Sequence, residues 1–329
     1  MQEENQYRIF LSPPHQSGEE LKYISKALES NWLAPGGSQV KEFEDRLAKL
    51  TNRAYCVGLN SGTAAIHLAL KTLDVKAGDY VICQTFSFVA TANPIAYLGA
   101  YPVFIDSEPE TWNMDPKLLE EAILDLRKVG IIPKAIIYTH IYGNPAKVDE
   151  LVKISVKYNI PLIEDAAEAL GTQINSSSVG QFGKISILSF NGNKVVTTSG
   201  GGAMLTDDLT IANRALHLAT QARDISESYM HTEVGYNYRM SNLCASLGLA
   251  QIGHLGDWVK RKQKTFSNYK KVNQGKKVFR WIEDKSNLCM NRWLSVFLLN
   301  STENVVGIIE TLKQNGIESR RFWKPLLSQ

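Results

Sequence analysis

The run Leu188-Ser189-Phe190-Asn191-Gly192-Asn193-Lys194-Val195-Val196-Thr197-Thr198-Ser199-Gly200-Gly201-Gly202 sets one lysine between a strand-like segment and a glycine triplet. Residues 185–190 are apolar and β-branched, the pattern of a short buried strand, and Asn191-Gly192 then marks a tight turn. Residues 195–198 favour strand again, so Lys194 is expected between two short strands. A sheet would fix its Cα and leave the amine free to reach outward. A Schiff-base lysine needs that arrangement, in surroundings that keep part of the amine deprotonated. Taken locally, a solvated turn lysine is the commoner meaning of the pattern. The rest of the chain has to decide.

Upstream, strands and helices alternate. Strands are expected at residues 55–59, 80–83, 103–105, 135–139 and 161–163, the last ending in Glu164-Asp165. Between them lie helices opened by Ser61 (64–73), at 88–98, capped by Asp115 and ending near Lys128, and at 147–158. This alternation predicts an α/β fold with a mostly parallel sheet between helices, whose sites sit at the carboxyl ends of the strands. The residues just past each strand therefore matter most.

After the first strand comes Asn60-Ser61-Gly62-Thr63-Ala64, small residues at a helix N-terminus that can bind an anion through free N–H groups. A plain N-cap serine is the alternative. No GxGxxG follows this strand and no GxxxxGK[ST] occurs anywhere, which removes support for dinucleotide and P-loop binding. After the next strand, Phe86 or Phe88 is either core or the cover of a planar ring. Asp165, before Ala166-Ala167-Glu168, is either a helix cap or a buried carboxylate that needs a cationic partner.

Composition bounds the rest. The 329 residues carry a net charge of +3, and 44% are apolar and 21% charged, as in ordinary globular proteins. The densest basic run, 260–264, lies on an expected helix with Trp258 and Phe266, so it reads as a solvated face and no nucleic-acid partner is expected. Four scattered cysteines without CxxC suggest neither zinc nor disulfides and fit a reducing compartment. The first residues lack a signal-peptide pattern, and no run approaches the roughly 20 apolar residues that span a bilayer. A cytoplasmic protein with no metal site and no membrane partner is expected. Residues 1–20 read as an arm, 21–250 as a large domain and 251–329 as a smaller α+β domain. The small domain is expected to hold strands at 293–299 and 320–323 and a helix at 305–315.

A phosphate cradle, a ring cover, a strand-end Asp and then a turn lysine are the parts of a pyridoxal phosphate site. The chain resembles the DegT/StrS family of pyridoxal phosphate-dependent nucleotide-sugar aminotransferases, of fold type I. The motifs that carry the likeness include Ser61-Gly62-Thr63-Ala64-Ala65, Thr91-Ala92-Asn93-Pro94, Tyr142-Gly143-Asn144-Pro145, Glu164-Asp165-Ala166-Ala167-Glu168, the lysine stretch and Gly235-Tyr236-Asn237-Tyr238-Arg239-Met240-Ser241-Asn242. The Asn-Gly-Asn-Lys string, Thr220-Gln221-Ala222-Arg223 and Asn291-Arg292-Trp293-Leu294 are most similar to the group that aminates C4 of UDP-2-acetamido-2,6-dideoxy-4-ketohexose with glutamate.

The resemblance implies the following roles. Lys194 is the Schiff-base lysine and proton carrier, Asp165 pairs with the ring nitrogen, and Phe88 stacks on the ring. Ser61, Gly62, Thr63 and Ser189 hold the phosphate, with Asn191 close by, and Glu168 lies near the phenolic oxygen. Asn237 reaches the phosphate of a second copy in a homodimer with shared sites. Trp32, Arg239 and Arg321 fall on the substrate side. Two departures stand out. Leu327 replaces a usual His, and family members typically continue past the position of Gln329. The small domain is accordingly expected to be incomplete, with an uncovered apolar face including Trp293, Val296 and Leu298. A catalytically inactive homologue, or a 3-keto or perosamine-type enzyme, is the alternative reading.

Overall fold

Successive residues along each central strand point to opposite sides of one sheet, and that alternation sorts the core into two layers. Ile82, Ile136, Leu162 and Leu188 pack on one side, while Val81, Cys83, Ile137, Ile163 and Ile187 pack on the other. Each such Ile or Leu withdrawn from water contributes about 1.5–3 kcal/mol. The computed structural model describes residues 7–274, 279–300 and 304–329.

The elements run α1 (Glu20–Glu29), α2 (Ser38–Thr51), β1 (Tyr55–Leu59), α3 (Gly62–Thr72), β2 (Tyr80–Gln84), α4 (Asn93–Tyr97), β3 (Tyr101–Ile105), α5 (Pro116–Lys128), β4 (Ala135–Thr139), α6 (Val148–Tyr158) and β5 (Leu162–Asp165). Two short strands follow, β6 (Gln173–Ile174) and β7 (Ser177–Ser178), then β8 (Ile185–Ser189), β9 (Gly202–Thr206), α7 (Leu209–Ala219), α8 (Asn242–Ile252) and α9 (Leu255–Asn273). The last part holds β10 (Phe279–Arg280), β11 (Leu288–Cys289), β12 (Leu298–Leu299) and α10 (Val305–Gln314). Among the described residues no helix is long and apolar enough to cross a membrane.

The main sheet has seven strands in the order β1-β9-β8-β5-β4-β2-β3. Its β8-β5-β4-β2-β3 part is parallel, and β9 runs antiparallel to both neighbours. The expected α/β architecture therefore holds. The antiparallel return also positions the lysine. Because β9 comes back beside β8, the connecting loop stays at the carboxyl end of β8 instead of crossing the sheet.

Several expectations need correction. Residues 195–198 form no strand: Thr197 Oγ1 and Thr198 N both donate to Phe190 O, and Ser199 N donates to Thr197 Oγ1. Hydroxyl bonds of this local kind compete with strand pairing. The single helix expected at 88–98 is a 3₁₀ turn at 89–91 followed by α4, which has Pro94 in its first turn. Of 293–299 only β12 pairs, with β10, and 320–323 forms no strand. Trp323 N instead donates to Tyr142 Oη at 3.1 Å. Trp293 and Val296 are buried, so the uncovered face expected there is not found at those residues.

Candidate active site

Five strand ends, the lysine loop and two C-terminal segments meet at a cavity of about 330 Å³ lined by Ser61, Gly62, Thr63, Ser87, Phe88, Thr139, Asp165, Glu168, Ser189, Asn191, Lys194, Trp293 and Trp323, among others. Of the residues expected on the cofactor side, Asn237 is missing from this lining. It lies exposed in the segment before α8, where its backbone O accepts from Asn60 Nδ2 at 3.2 Å.

Ser61 stands extended at the N-terminus of α3, and its Oγ accepts from Ala64 N at 3.0 Å. Gly62 and Thr63 occupy the half-buried first turn. The start of β9 packs directly on that turn, because a Cβ at Gly202 would fall 2.3 Å from the Ser61 carbonyl carbon. Gly62 is close to β8 in the same way, with an added Cβ 3.1 Å from Ser189 Cβ. Only glycine permits the first of these approaches, and it brings a helix N-terminus beside the lysine loop.

Asp165 ends β5, buried. Its Oδ2 accepts from Thr91 Oγ1 at 2.7 Å and its Oδ1 from Ala167 N at 3.2 Å, leaving lone pairs for another donor. Burial pushes its carboxyl above the usual range, while the Thr91 and Ala167 hydrogen bonds and the nearby charge of Lys194 pull it back. Glu168, in the turn after β5, accepts from Tyr142 N. Burial pushes it up to about 7 against the opposing charge of Lys194.

Lys194 Nζ lies 3.8 Å from Glu168 Oε1 and 4.1 Å from the centre of the Trp293 ring. Burial lowers its pKa, and the charges of Glu168 and Asp165 oppose that shift. The amine is thereby eased toward its nucleophilic, unprotonated form. Asn193 O, just before the lysine, accepts from Ser12 Oγ at 2.9 Å and from Trp293 Nε1 at 2.7 Å. The arm and the C-terminal part thus both hold the lysine loop.

Phe88 is half exposed, its ring 5.2 Å from that of Trp323. The residues expected on the substrate side are not gathered here. Trp32 is exposed and donates its Nε1 to Pro35 O. Arg239 is engaged by Glu44 and Gly58 O, away from the cavity lining. Arg321 lines a neighbouring apolar cavity that shares Asn193, Trp293 and Trp323 with this one. Sequence reasoning assigned no site role to Trp293, Trp323, Ser87 or Thr139. Only their positions past strand ends or inside a quoted motif could have flagged them.

EpsN of Bacillus subtilis (strain 168), provisionally named a pyridoxal phosphate-dependent aminotransferase, is 46% identical over 98% of this chain and 83% of its own length. GDP-perosamine synthase of Escherichia coli O157:H7 is 35% identical over 95% of this chain and 84% of its own. The crystal structure of a DegT DnrJ EryC1 StrS aminotransferase from Brucella abortus superposes with a TM-score of 0.89 at 28% identity, covering 95% of this chain and 83% of that one. With a family model matching residues 14–329 as well, the chain belongs to the DegT/DnrJ/EryC1/StrS aminotransferase family.

Proposed function

We propose that this protein is a pyridoxal phosphate-dependent aminotransferase that moves an amino group from glutamate to a nucleotide-linked 4-keto-6-deoxy sugar, for polysaccharide or glycan synthesis. The observation that carries the reading is the convergence of Lys194, Asp165 and the first turn of α3 on one cavity. The donor set fits the cofactor. A helix N-terminus suits a phosphate, a buried carboxylate with free lone pairs suits a protonated ring nitrogen, and a desolvated lysine suits an aldehyde.

Pyridoxal phosphate supplies an aldehyde that carries the amino group and a ring that accepts electron density. The protein does the rest. Lys194 Nζ anchors the cofactor and moves a proton between carbon atoms. Asp165 keeps a proton on the ring nitrogen. Ser61, Gly62, Thr63, Ser189 and Asn191 hold and orient the phosphate end, and Phe88 covers the ring. Glu168 sets the charge beside Lys194. Asn237, exposed on its own chain, completes the phosphate site of a second copy, so the working unit is a homodimer. Residues 21–250 form the large domain, and 251–329 the smaller one that lends Trp293 to the cavity. Trp32, Arg239 and Arg321 stay candidate substrate contacts, of which Arg321 lies nearest the cavity through its shared lining.

The UDP-linked N-acetylated 4-keto sugar is the preferred acceptor, supported by the Asn291-Arg292-Trp293 string and by its Trp293 facing Lys194. Likeness to a GDP-perosamine synthase favours a GDP-linked keto sugar as the second reading. A half-reaction screen separates them. Protein loaded with cofactor loses the visible band of the lysine-bound form on adding glutamate, and only the true keto sugar restores it. No response to glutamate would overturn the aminotransferase reading and leave an inactive homologue.

A further inference from the structure

Asp165 stands at the end of a row of hydroxyls. Thr91 Oγ1 donates to Asp165 Oδ2 at 2.7 Å, Ser87 Oγ lies 2.6 Å from Thr91 Oγ1, and Thr139 Oγ1 lies 3.1 Å from Ser87 Oγ. The residues come from three places: the loop after β2, the end of β4 and the end of β5. Thr139 is the direct register partner of Asp165 across β4 and β5. Thr91 is fully buried, and Ser87, Thr139 and Asp165 are exposed by 1%, 3% and 4%. So little exposure leaves these protons scant access to water, and their partners within hydrogen-bond distance are their neighbours in the row.

The chemistry gives the row a direction. An ionised carboxylate only accepts, so Thr91 spends its single proton on Asp165. Toward Ser87 it can then only accept, so Ser87 donates to it and in turn accepts from Thr139. Each bond polarises the next, and all three point toward the negative charge. A neutral Asp165 would still accept from Thr91 but would gain less from this order, since a bond to a charged oxygen is the stronger one. We infer that Thr91, Ser87 and Thr139 are positioning residues that keep Asp165 ionised and oriented for the cofactor's ring nitrogen. This rests on the role of Asp165 proposed above.

Other groups face the same carboxylate and have to be separated from the row. Lys194 approaches from the loop after β8, His140 from the loop after β4 and Glu168 from the turn after β5. His140 accepts from Ala146 N through Nδ1 and meets Glu164 through Nε2. Burial alone drives Asp165 toward its neutral form, and the Thr91 bond ranks first among the groups that resist it. Thr91→Val keeps the shape and removes the hydroxyl while leaving Lys194, His140 and Glu168 in place.

The first test uses cofactor-free protein with ¹³C-labelled aspartate carboxyls, the Asp165 signal being assigned by its loss in Asp165→Asn. Thr91→Val should raise the Asp165 titration midpoint by about 1–2 pH units, and Thr91→Ser should restore it. Ser87→Ala should shift it the same way by about half a unit, since it removes only the polarising partner. If Thr91→Val does not fold, Thr91→Ala makes the same test. An Asp165 midpoint unchanged in the Thr91 variant overturns the inference.

The second test loads the protein with pyridoxal phosphate ¹⁵N-labelled at the ring. Thr91→Val should move that resonance from the protonated toward the neutral pyridine position. Its kcat should fall about 10- to 100-fold while the glutamate KM stays within about threefold. If Asp165→Asn leaves the resonance in place, the ring-nitrogen role of Asp165 fails, and the carboxyl titration still judges the row. If Asp165→Asn moves it and Thr91→Val does not, the row fails and the role of Asp165 stands.

Discussion

Asp165 and Trp293 face the same cavity, but they are held there by different means. Asp165 ends a strand buried between β4 and β8, and its register against Thr139 and Ile187 sets its position. Trp293 lies in irregular chain between the two-residue strands β11 and β12. Asn291 fixes that chain: its Nδ2 donates to Glu168 O and Leu170 O, its backbone N donates to Thr172 Oγ1, and its Oδ1 accepts from Trp293 N. The nearby helix α10 has no buried residue. One wall of the cavity is thus held by a whole sheet, and the other by side-chain hydrogen bonds and the packing of Met290, Trp293 and Val296 on the core. The sheet wall suits groups whose charge must stay fixed. The other wall suits contacts that adjust to a substrate.

Substitutions on the two walls should therefore fail differently. The largest effect is expected for Lys194→Ala, in the loop that leaves the sheet after β8. It should abolish the visible band of lysine-bound cofactor and lower turnover on the order of 10⁴-fold or more, with the thermal midpoint little changed. Spectra and melting of the one preparation check both. Retention of the band would move the anchoring role to another lysine. Next comes Asp165→Asn, which should lower kcat on the order of 10²- to 10³-fold while cofactor occupancy falls less than about tenfold. Equilibrium dialysis beside steady-state rates decides it, and near-native turnover would remove Asp165 from the ring nitrogen.

On the other wall, Asn291→Ala leaves two buried carbonyls without their donor, at about 1–3 kcal/mol each. Hydrogen exchange should quicken across residues 279–300 and stay unchanged in β4 and β5. Equal quickening in both would show that the walls are not separate. The smallest effect concerns charge. The Glu168 carboxylate holds the Lys194 pKa up, so removing it lets that pKa fall. In Glu168→Gln the pH midpoint for covalent cofactor loading should move lower, because the amine stays unprotonated to a lower pH. In the native protein this influence of Glu168 fades as pH drops through about 7 and the carboxyl takes up its proton. A midpoint unmoved or raised would exclude Glu168 as the group that sets it.

The same contrast explains what could be read from the sequence. Strands such as Tyr55–Leu59 and Leu162–Asp165 announce themselves by short, largely apolar runs, and their ends led directly to Ser61 and Asp165. The hydroxyl row was not legible, since Thr91 and Asp165 lie 74 residues apart and only the parallel register brings them together. Trp293 reads as a core aromatic in any linear scan, because nothing local reveals that its ring faces Lys194. The motif around Arg239 puts it on the substrate side, but Glu44, far away in α2, takes its charge. The strand expected after Lys194 failed for a local reason, as Thr197 and Thr198 turned their hydrogen bonds back on Phe190.

The carbonyl of Asn193 bears on how the protein is made. Its two donors lie 181 residues before it and 100 residues after it along the chain. On the ribosome, Lys194 emerges while Trp293 has yet to be synthesised, and closing loops of such length is among the slower steps of folding. A nascent chain can complete its sheet and still lack one of the two clasps on the lysine loop. Stable cofactor capture is thereby a late event in biogenesis, and the coloured protein reports a chain whose distant parts have already met.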